Sequence, residues 1–183
     1  MLDTLELMGF KSLGEVSMQL GQVNVLVGPN GSGKSNLLEA LGVLGAAASG
    51  RVDDQALLRR GIRPGVPALY KTSFRGRRFP TFITLRAKWA VDGEDVIYEV
   101  GLDNPLEKPK PTWTFRTESI SKGGQRIVGR SPRGVTFGGK ASPEFPLRPD
   151  AGFAAVVRGR EELTGGPTDL LAALEDYAIF APT

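Results

Sequence analysis

Hydrophobic and polar residues alternate in two short segments near the start of the chain. Apolar residues recur with a period of about two in Leu2–Met8 and again in Glu15–Leu20, which is typical of strands with one buried face. With Gly9–Ser12 as the turn between them, the two segments are predicted to form an antiparallel pair. Val23–Val27 is instead a nearly continuous apolar run, a pattern that indicates a strand buried on both faces.

Three further segments have the composition of helices. Asn36–Ala48 is rich in Leu, Ala and Glu and contains no Pro, so it is predicted to be a helix. Arg51–Arg60 indicates a shorter helix that ends before Pro64, and Pro167–Asp169 is a favourable start for a helix over Leu170–Tyr177. The buried stripe of the first helix is expected to consist of Leu37, Leu38, Leu41 and Leu44.

From about Phe79 onward the hydrophobic period changes to two. Gly, Asn and Pro residues separate four segments with this period, which predicts an antiparallel β-meander that forms its own layer. Gly138–Pro149 is rich in Gly and Pro and is predicted to be a loop. The four predicted strands are Phe82–Trp89, Asp95–Leu102, Trp113–Ile120 and Arg126–Val128.

The composition is that of a globular protein and excludes several kinds of chemistry. Of the 183 residues, 40% are hydrophobic and 23% are charged, which suits one domain with a substantial core. The chain contains no Cys and no His, so disulfides, thiolate or imidazole metal sites and Ser–His triads are excluded. The net charge of +3 permits contact with nucleic acid without requiring it. No apolar run could span a bilayer and the start lacks a secretory signal, so we expect a cytoplasmic protein.

A glycine-rich loop follows the apolar run Val23–Val27. Residues Gly28–Ser35 fit the phosphate-loop pattern G-x-x-x-x-G-K-[ST] at every fixed position, between a predicted strand and a predicted helix. Backbone N–H groups of such a loop surround phosphates, Lys34 reaches the β- and γ-phosphates, and the Ser35 hydroxyl is a ligand for Mg²⁺. We therefore expect ATP with Mg²⁺ to bind here. The expected nucleotide-binding residues are Gly28, Pro29, Asn30, Gly31, Ser32, Gly33, Lys34, Ser35 and Asn36.

The residues in and around this loop resemble a particular group of ATPases. Val27–Leu41 looks like the Walker A segment of ABC-type ATPases in the wider AAA group, of the chromosome-maintenance (SMC), RecF and overcoming-lysogenisation (OLD) kind. Leu5–Leu13 is similar to the opening strand and turn of these proteins, and residues 98–130 resemble the antiparallel insertion of OLD-like members. The resemblance implies that Lys11 lies near the nucleotide phosphates, although a plain surface lysine in a turn is the alternative. It also implies ATP-driven dimerisation coupled to DNA maintenance or repair, or to phage defence.

Two further motifs that such ATPases require are not evident. The hydrolytic carboxylate motif (Walker B) is four apolar residues followed by Asp-Glu, whereas Leu170–Asp176 ends in Glu-Asp and has the composition of a helix. Ser121–Arg126 superficially resembles the ABC signature, but strand patterns flank it and it is interpreted as a hairpin turn. Lys34 is expected to stabilise the γ-phosphate, and the other catalytic residues stay unassigned. The chain is therefore expected to bind nucleotide more readily than it hydrolyses it.

Other charged groups have simpler interpretations. Basic residues interleaved with aromatic residues near the meander could contact a phosphate backbone, but a solvated loop and the polar face of a strand account for them better. Asp53–Asp54 and the acids Asp92, Glu94 and Asp95 are interpreted as turn or cap residues. The basic and aromatic residues concerned are Lys71, Phe74, Arg75, Arg77, Arg78, Phe79, Arg86, Lys88 and Trp89.

Together these patterns predict an α/β P-loop NTPase fold, with a small mixed sheet around a central helix and an antiparallel β-meander layer. We expect one unit in which residues 1–62 form the nucleotide-binding core, 79–137 the antiparallel insertion, and 150–183 a helical segment that continues in a missing lobe. The leading hypothesis is ATP binding by the N-terminal lobe of such an ATPase, acting as a homodimer or with a missing C-terminal lobe or partner. DNA is a candidate substrate, and no membrane association is expected. A non-catalytic regulatory or split subunit and, less favoured, a P-loop kinase are the alternatives.

Overall fold

Eight strands form one sheet in the computed structural model, which describes residues 2–65, 67–74, 80–105, 108, 110–131, 134–142 and 147–180. In chain order, β1 to β8 are Thr4–Phe10, Leu13–Gln19, Ile83–Val91, Glu94–Asp103, Thr114–Lys122, Gln125–Ser131, Gly134–Phe137 and Lys140–Ser142. Their order across the sheet is β2-β1-β3-β4-β5-β6-β7-β8. Every pairing between these strands is antiparallel.

Alternation along the central strands assigns one face of the sheet to the core and the other to solvent. On the inner face, Leu7 of β1 lies directly opposite Leu85 of β3, and both side chains are buried. On the outer face, the Arg86 guanidinium lies 2.7 Å from the Glu6 carboxylate and 3.9 Å from that of Glu99. The register thus places apolar pairs inside and a ladder of opposite charges outside.

Within the part of the chain that the structure describes, three helices accompany the sheet. They are α1, Lys34–Ala48, α2, Asp54–Leu58, and α3, Gly166–Glu175, and short 3₁₀ turns lie at Pro67–Tyr70 and Glu161–Leu163. Among the helices of the described residues, none combines the length and the apolar composition needed to cross a membrane.

Two glycines allow α1 to lie close to its neighbours. A Cβ atom at Gly45 would lie 2.2 Å from the carbonyl oxygen of Leu174 in α3, and one at Gly42 would lie 2.5 Å from Cδ1 of Ile62. Because side-chain carbons do not approach other atoms so closely, only glycine permits this packing. The buried side of α1 is otherwise built from Leu37, Ala40, Leu41, Val43, Leu44, Ala46, Ala47 and Ala48.

The predicted α/β class is confirmed, and most predicted elements are present with shifted bounds. The opening pair and the four meander strands correspond to β1 to β6, and the three predicted helices correspond to α1 to α3. Helix α1 begins at Lys34, two residues earlier than predicted, and α2 is confined to Asp54–Leu58. Leu38 was expected in the buried stripe of α1, but 37% of its surface is exposed. Tyr177 lies beyond the end of α3.

The interval Gly138–Pro149 is not wholly a loop. Strands β7 and β8 pair as a hairpin whose turn contains Gly138 and Gly139, with φ of 53° and 81°. Such short strands were missed because β8 contains Lys-Ala-Ser, which carries no hydrophobic period. Residues 143–146 of this interval lie outside the described residues.

The segment Val23–Val27 is not the buried strand that its composition predicts. Val23, Val25 and Val27 are 83%, 80% and 88% exposed, and only Leu26 packs partly against the core. A strand requires hydrogen-bonded neighbours, and none of the described strands pairs with this segment. The prediction of a mixed sheet with a separate antiparallel layer was therefore wrong in its arrangement, because the described strands form a single antiparallel sheet.

A buried carboxylate joins the sheet to the segment that follows β8. The side chain of Glu118 in β5 has no exposed surface. It accepts hydrogen bonds from the Tyr98 hydroxyl at 3.0 Å and from the backbone N–H groups of Phe153 at 2.7 Å and Ala154 at 3.3 Å. The Arg130 guanidinium lies 3.5 Å away. These partners offset much of the cost of burying the carboxyl group.

The close packing of α1 predicts the effect of a single added methyl group. We expect Gly45→Ala to lower the free energy of unfolding by about 1–3 kcal/mol, because the new Cβ atom would overlap the Leu174 carbonyl oxygen. Gly21→Ala is the matched control, since its Cβ atom would meet atoms no closer than 3.6 Å. Urea unfolding measures both variants. Equal stability of the Gly45 variant and the wild-type chain would contradict the packing described for α1.

The Glu118 cluster predicts a pH dependence of stability. Burial raises the pKa of Glu118 to about 7 from an ordinary 4.5, against the opposing effects of the Phe153 N–H group and Arg130. Between these values the folded chain retains a proton that the unfolded chain has lost, so stability falls as the pH rises through this window. At about 1.4 kcal/mol per pKa unit, the loss is on the order of a few kcal/mol.

The measurement compares wild-type chain and Glu118→Gln in urea unfolding from about pH 5 to about pH 8. Glutamine cannot titrate, so the variant should show a flatter dependence on pH even if it is less stable throughout. Glu15→Gln, which changes an exposed carboxylate of β2, is the control and should keep the wild-type slope. Parallel curves for wild type and Glu118→Gln would show that Glu118 is not the titrating group.

Candidate functional site

The glycine-rich loop lies immediately before α1, in the place that the motif predicts. Gly31 and Gly33 have φ of 82° and 97°, a region that residues with a Cβ atom rarely occupy. Gly33 is the N-cap of α1, and this end of the helix has neither a side-chain cap nor an acidic residue in its first turn. The positive end of the helix dipole is therefore not offset by a local carboxylate, which favours an anion in front of it.

Lys34 folds back over the loop. Its ammonium group donates hydrogen bonds to the carbonyl oxygens of Gly28 at 2.7 Å and Pro29 at 2.8 Å, and lies 3.3 Å from the Ser32 hydroxyl. These acceptors are neutral, so they satisfy the donor groups without cancelling the positive charge. The loop is exposed from Gly28 to Ser32, and the charge of Lys34 is accessible from solvent.

The turn between β1 and β2 packs against the end of the loop. Asn36 donates a side-chain hydrogen bond to the Ser12 hydroxyl at 2.7 Å. A Cβ atom at Gly33 would lie 2.9 Å from Cδ2 of Leu13 and 3.2 Å from the Ser12 hydroxyl. Gly33 is therefore needed both for its positive φ and for its lack of a side chain, and the sequence-predicted turn and loop do meet.

Lys11 lies in this turn, but its side chain points toward α1. Its φ of 48° is unusual for a residue other than glycine. The ammonium group forms an ion pair with Glu39 and lies 4.6 Å from the centre of the Tyr70 ring. The backbone N–H of Lys11 donates to the Tyr70 carbonyl oxygen at 2.8 Å. The structure thus brings Lys11 next to the loop without placing its ammonium group among the loop atoms.

Sequence reasoning missed Glu39 and Tyr70 as neighbours of the site. Glu39 follows Ser35 by four residues, and this spacing places the two on one face of α1. Tyr70 is fully buried, and its hydroxyl donates to the Arg63 carbonyl oxygen at 2.7 Å. Burial raises the pKa of Tyr70 to about 12, with further contributions from Glu39 and Asp54. The spacing within the helix could have indicated Glu39, whereas the contact with Tyr70 depends on long-range folding.

The residues of the loop fit a polyphosphate. The loop combines two positive-φ glycines, an uncapped helix end and one accessible ammonium group. Ser35 is exposed in the first turn of α1, where its hydroxyl can serve as one ligand of a cation. Within the described residues no group of three or more Asp, Glu, His or Cys side chains is arranged to hold a metal ion. A Mg²⁺ ion at Ser35 would therefore need oxygen ligands from the phosphates and water.

The two segments that superficially resemble catalytic motifs have structural roles. Leu170–Glu175 lies within α3, where its leucines are buried in the core. Ser121–Arg126 spans the end of β5, the start of β6 and the turn between them. Gly123 and Gly124 in that turn have φ of 56° and 78°, as a two-residue hairpin requires. Both interpretations made from the sequence are confirmed.

The basic residues near the meander are largely neutralised by carboxylates where the structure describes them. Arg86 pairs with Glu6, Lys88 lies 2.8 Å from Asp95, and Lys71 lies 2.5 Å from Asp103. Phe74 is 42% exposed, while Trp89 packs partly against the core. Arg75, Arg77, Arg78 and Phe79 lie outside the described residues. The polar face of a strand is thus the correct interpretation for Arg86 and Lys88.

Two of the acids interpreted as cap or turn residues, Asp53 and Asp92, have those roles, whereas Glu94 and Asp95 lie in strand β4. The Asp53 carboxylate accepts from the Ala56 N–H at 2.9 Å and caps α2. Asp92 has a φ of 52° in the turn between β3 and β4. Asp54 lies in the first turn of α2. The two acids that begin β4 pair with lysines of the neighbouring strands, Glu94 with Lys122 and Asp95 with Lys88.

The fold and the loop define an α/β protein of the P-loop NTPase class. The chain belongs to the family described as "AAA domain, putative AbiEii toxin, Type IV TA system", whose profile matches residues 23–125, more than half of the chain. The matched part contains the phosphate-loop motif, α1 and the strands β3 to β5.

Curated relatives confirm the predicted similarity to RecF-like ATPases. The DNA replication and repair protein RecF of Magnetococcus marinus is 45% identical over 64 residues, which are 34% of this chain and 17% of that protein. RecF of Corynebacterium jeikeium is 44% identical over 90 residues, which are 48% of this chain and 21% of that protein. The matched parts thus span about a fifth of the length of these relatives.

A solved structure can be superposed on part of this chain. It comes from work on the "Structural biochemistry of ATP-driven dimerization and DNA stimulated activation of SMC ATPases". The TM-score is 0.45 at 20% sequence identity, and the superposition covers 68% of this chain and 70% of the other.

Proposed function

We propose that this chain binds ATP with Mg²⁺ through the loop Gly28–Ser35, as the N-terminal part of an ATPase related to RecF and SMC proteins. The observation that carries the proposal is the position of the Lys34 ammonium group, which lies over the loop at the uncapped end of α1. Two independent positive charges, one from a side chain and one from the helix dipole, thus face the same exposed loop.

Each part of the loop has a role in this proposal. The N–H groups from Gly28 to Asn36 surround the phosphates, and Lys34 exchanges its carbonyl partners for oxygens of the β- and γ-phosphates. The Ser35 hydroxyl holds Mg²⁺, which when bound neutralises charge on the phosphates. Lys11 adds a second ammonium group from the β1–β2 turn, since that turn packs against Gly33 and Asn36.

We propose that this chain needs further groups to hydrolyse ATP. The dipeptide Asp-Glu, which ends the hydrolytic carboxylate motif, does not occur in the sequence, and both segments that resemble the missing motifs have structural roles. We propose that the groups that activate water come from another segment or from a partner chain. A nucleotide-binding subunit that regulates its partner without catalysis is the alternative. A P-loop kinase is disfavoured because the described strands that follow α1 and α2 pair only in antiparallel fashion.

The exposed valines point to the kind of partner. Val23, Val25 and Val27 alternate with Asn24 and Leu26, and Leu26 already packs on the core. Leu26 thus faces the core while the three valines face solvent, a pattern that suits a strand with a further neighbour on its exposed side. We propose that a β-strand from a missing lobe or partner chain pairs with Val23–Val27.

The biological setting is proposed from the relatives. RecF proteins are described as DNA replication and repair proteins, and we propose a cytoplasmic role in DNA maintenance or repair, or in phage defence. The outer face of the sheet does not support a DNA contact at Arg86 or Lys88, because carboxylates neutralise both.

The proposed nucleotide site predicts the effect of removing one ammonium group. We expect Lys34→Ala to weaken binding of ATP·Mg²⁺ by about 10- to 100-fold, since charge-assisted hydrogen bonds to phosphate would be lost. Isothermal titration calorimetry measures the dissociation constant. Lys88→Ala is the matched control, because Lys88 lies on the outer face of the sheet and pairs with Asp95.

A parallel assay of phosphate release tests the proposal about hydrolysis. Binding without turnover is expected from the purified chain. Unchanged affinity in Lys34→Ala would refute the site, whereas turnover that matches a complete ATPase would refute the need for a partner.

The unpaired segment predicts self-association of the isolated chain. We expect the wild-type chain to form concentration-dependent oligomers, because three exposed valines favour edge pairing. Replacing Val23, Val25 and Val27 by Thr should shift the chain to monomer. At protein concentrations where wild type is itself monomeric, the ATP affinities of the two should differ by less than about twofold. Sedimentation velocity measures the shift, and Val156→Thr, which changes another exposed valine, is the control. Identical sedimentation of the triple variant and wild type would show that this segment does not mediate self-association.

A further inference from the structure

The ion pair between Lys11 and Glu39 is a shielded contact beside the candidate site. The two side chains are only 20% and 22% exposed. The Tyr70 ring lies 4.6 Å below the ammonium group, close enough for a cation–π contact. Shielding from water makes such a pair stronger than an exposed one. The charge of Lys11 is therefore committed to a carboxylate that lies on α1.

Glu39 lies on the same face of α1 as the first turn of that helix. Glu39 follows Ser35 by four residues, which is a rise of about 6 Å. The turn that carries Lys11 is fastened to this end of α1 by the hydrogen bond between Asn36 and Ser12. A long, flexible lysine side chain in this turn can thus reach either the carboxylate or an anion at the helix start.

We propose that Glu39 competes with bound nucleotide for Lys11, so that their ion pair lowers the affinity of the site for ATP. The inference rests on the function proposed above. On binding, the ammonium group leaves one carboxylate for phosphates that carry several negative charges. Glu39 is then left partly buried without its cation, and the cost of that desolvated charge is subtracted from the binding free energy. Glu39 acts through Lys11 and is a positioning residue.

A double-mutant cycle tests this competition. Calorimetric titration with ATP·Mg²⁺ compares wild type, Glu39→Gln, Lys11→Met and the double variant. We expect Glu39→Gln to bind ATP about 3- to 10-fold more tightly, since Lys11 no longer has to leave a carboxylate. In the Lys11→Met background the same change should alter the affinity by less than about twofold. Glu15→Gln is the control for a general change of charge.

The cycle separates competition from simple repulsion between Glu39 and the phosphates. If Glu39→Gln tightened binding equally in both backgrounds, repulsion through space would explain the effect and the proposal would be wrong. Unchanged or weaker binding by the Glu39→Gln single variant would overturn it as well. If wild type binds ATP but the effects of the two substitutions simply add, only the inference about Glu39 is wrong. If wild type does not bind ATP, both the proposed function and the inference about Glu39 are wrong.

Folding of the variants is checked by thermal unfolding without nucleotide. Lys11 has a φ of 48°, so Lys11→Gly, which suits that conformation, replaces Lys11→Met if the latter does not fold. The glycine variant removes the same ammonium group, so the expected loss of coupling is unchanged.

Discussion

The close approach of α1 to α3 and to the residues after α2 is the constraint on which the rest of the structure depends. At Gly45 the helix backbone nearly touches the Leu174 carbonyl oxygen, and at Gly42 it nearly touches Ile62. These contacts fix the position of the helix along its own axis, because no side chain separates the surfaces. The start of α1 is thereby fixed relative to the β1–β2 turn, and so are Lys34, Ser35 and the loop in front of them.

The way in which charges are neutralised distinguishes the site from the remainder of the molecule. On the outer face of the sheet, Arg86 and Lys88 lie within 2.7 Å and 2.8 Å of carboxylates, and their fields are largely cancelled nearby. Inside, Glu118 has a guanidinium and three hydrogen-bond donors. Lys34 contacts only carbonyl and hydroxyl oxygens among the described residues, so its charge is hydrogen-bonded without being cancelled. A positive potential at the loop is the result.

Features that depend on neighbours in sequence could be predicted, and features that depend on distant neighbours could not. The period of two in Leu5–Leu7 and the motif Gly28–Ser35 determine local structure directly, so β1 and the loop are where the sequence indicates. The burial of Glu118 could not be foreseen, because its donors Phe153 and Ala154 lie 35 and 36 residues further along the chain. The ion pair of Lys11 with Glu39 joins residues 28 positions apart. The sequence indicates only that Glu39 shares a helix face with Ser35.

Val23–Val27 shows most clearly why a correct local pattern can lead to a wrong structural prediction. The apolar run has the composition of a buried strand, but burial is a property of what surrounds a segment. The segment leads directly into Gly28, so a neighbouring strand that ordered Val27 would also fix the first backbone angles of the loop. Under the proposed function, pairing of this strand and binding of nucleotide would then order the same stretch of chain. Each event would reduce the conformational entropy that the other has to overcome, which links assembly to nucleotide affinity.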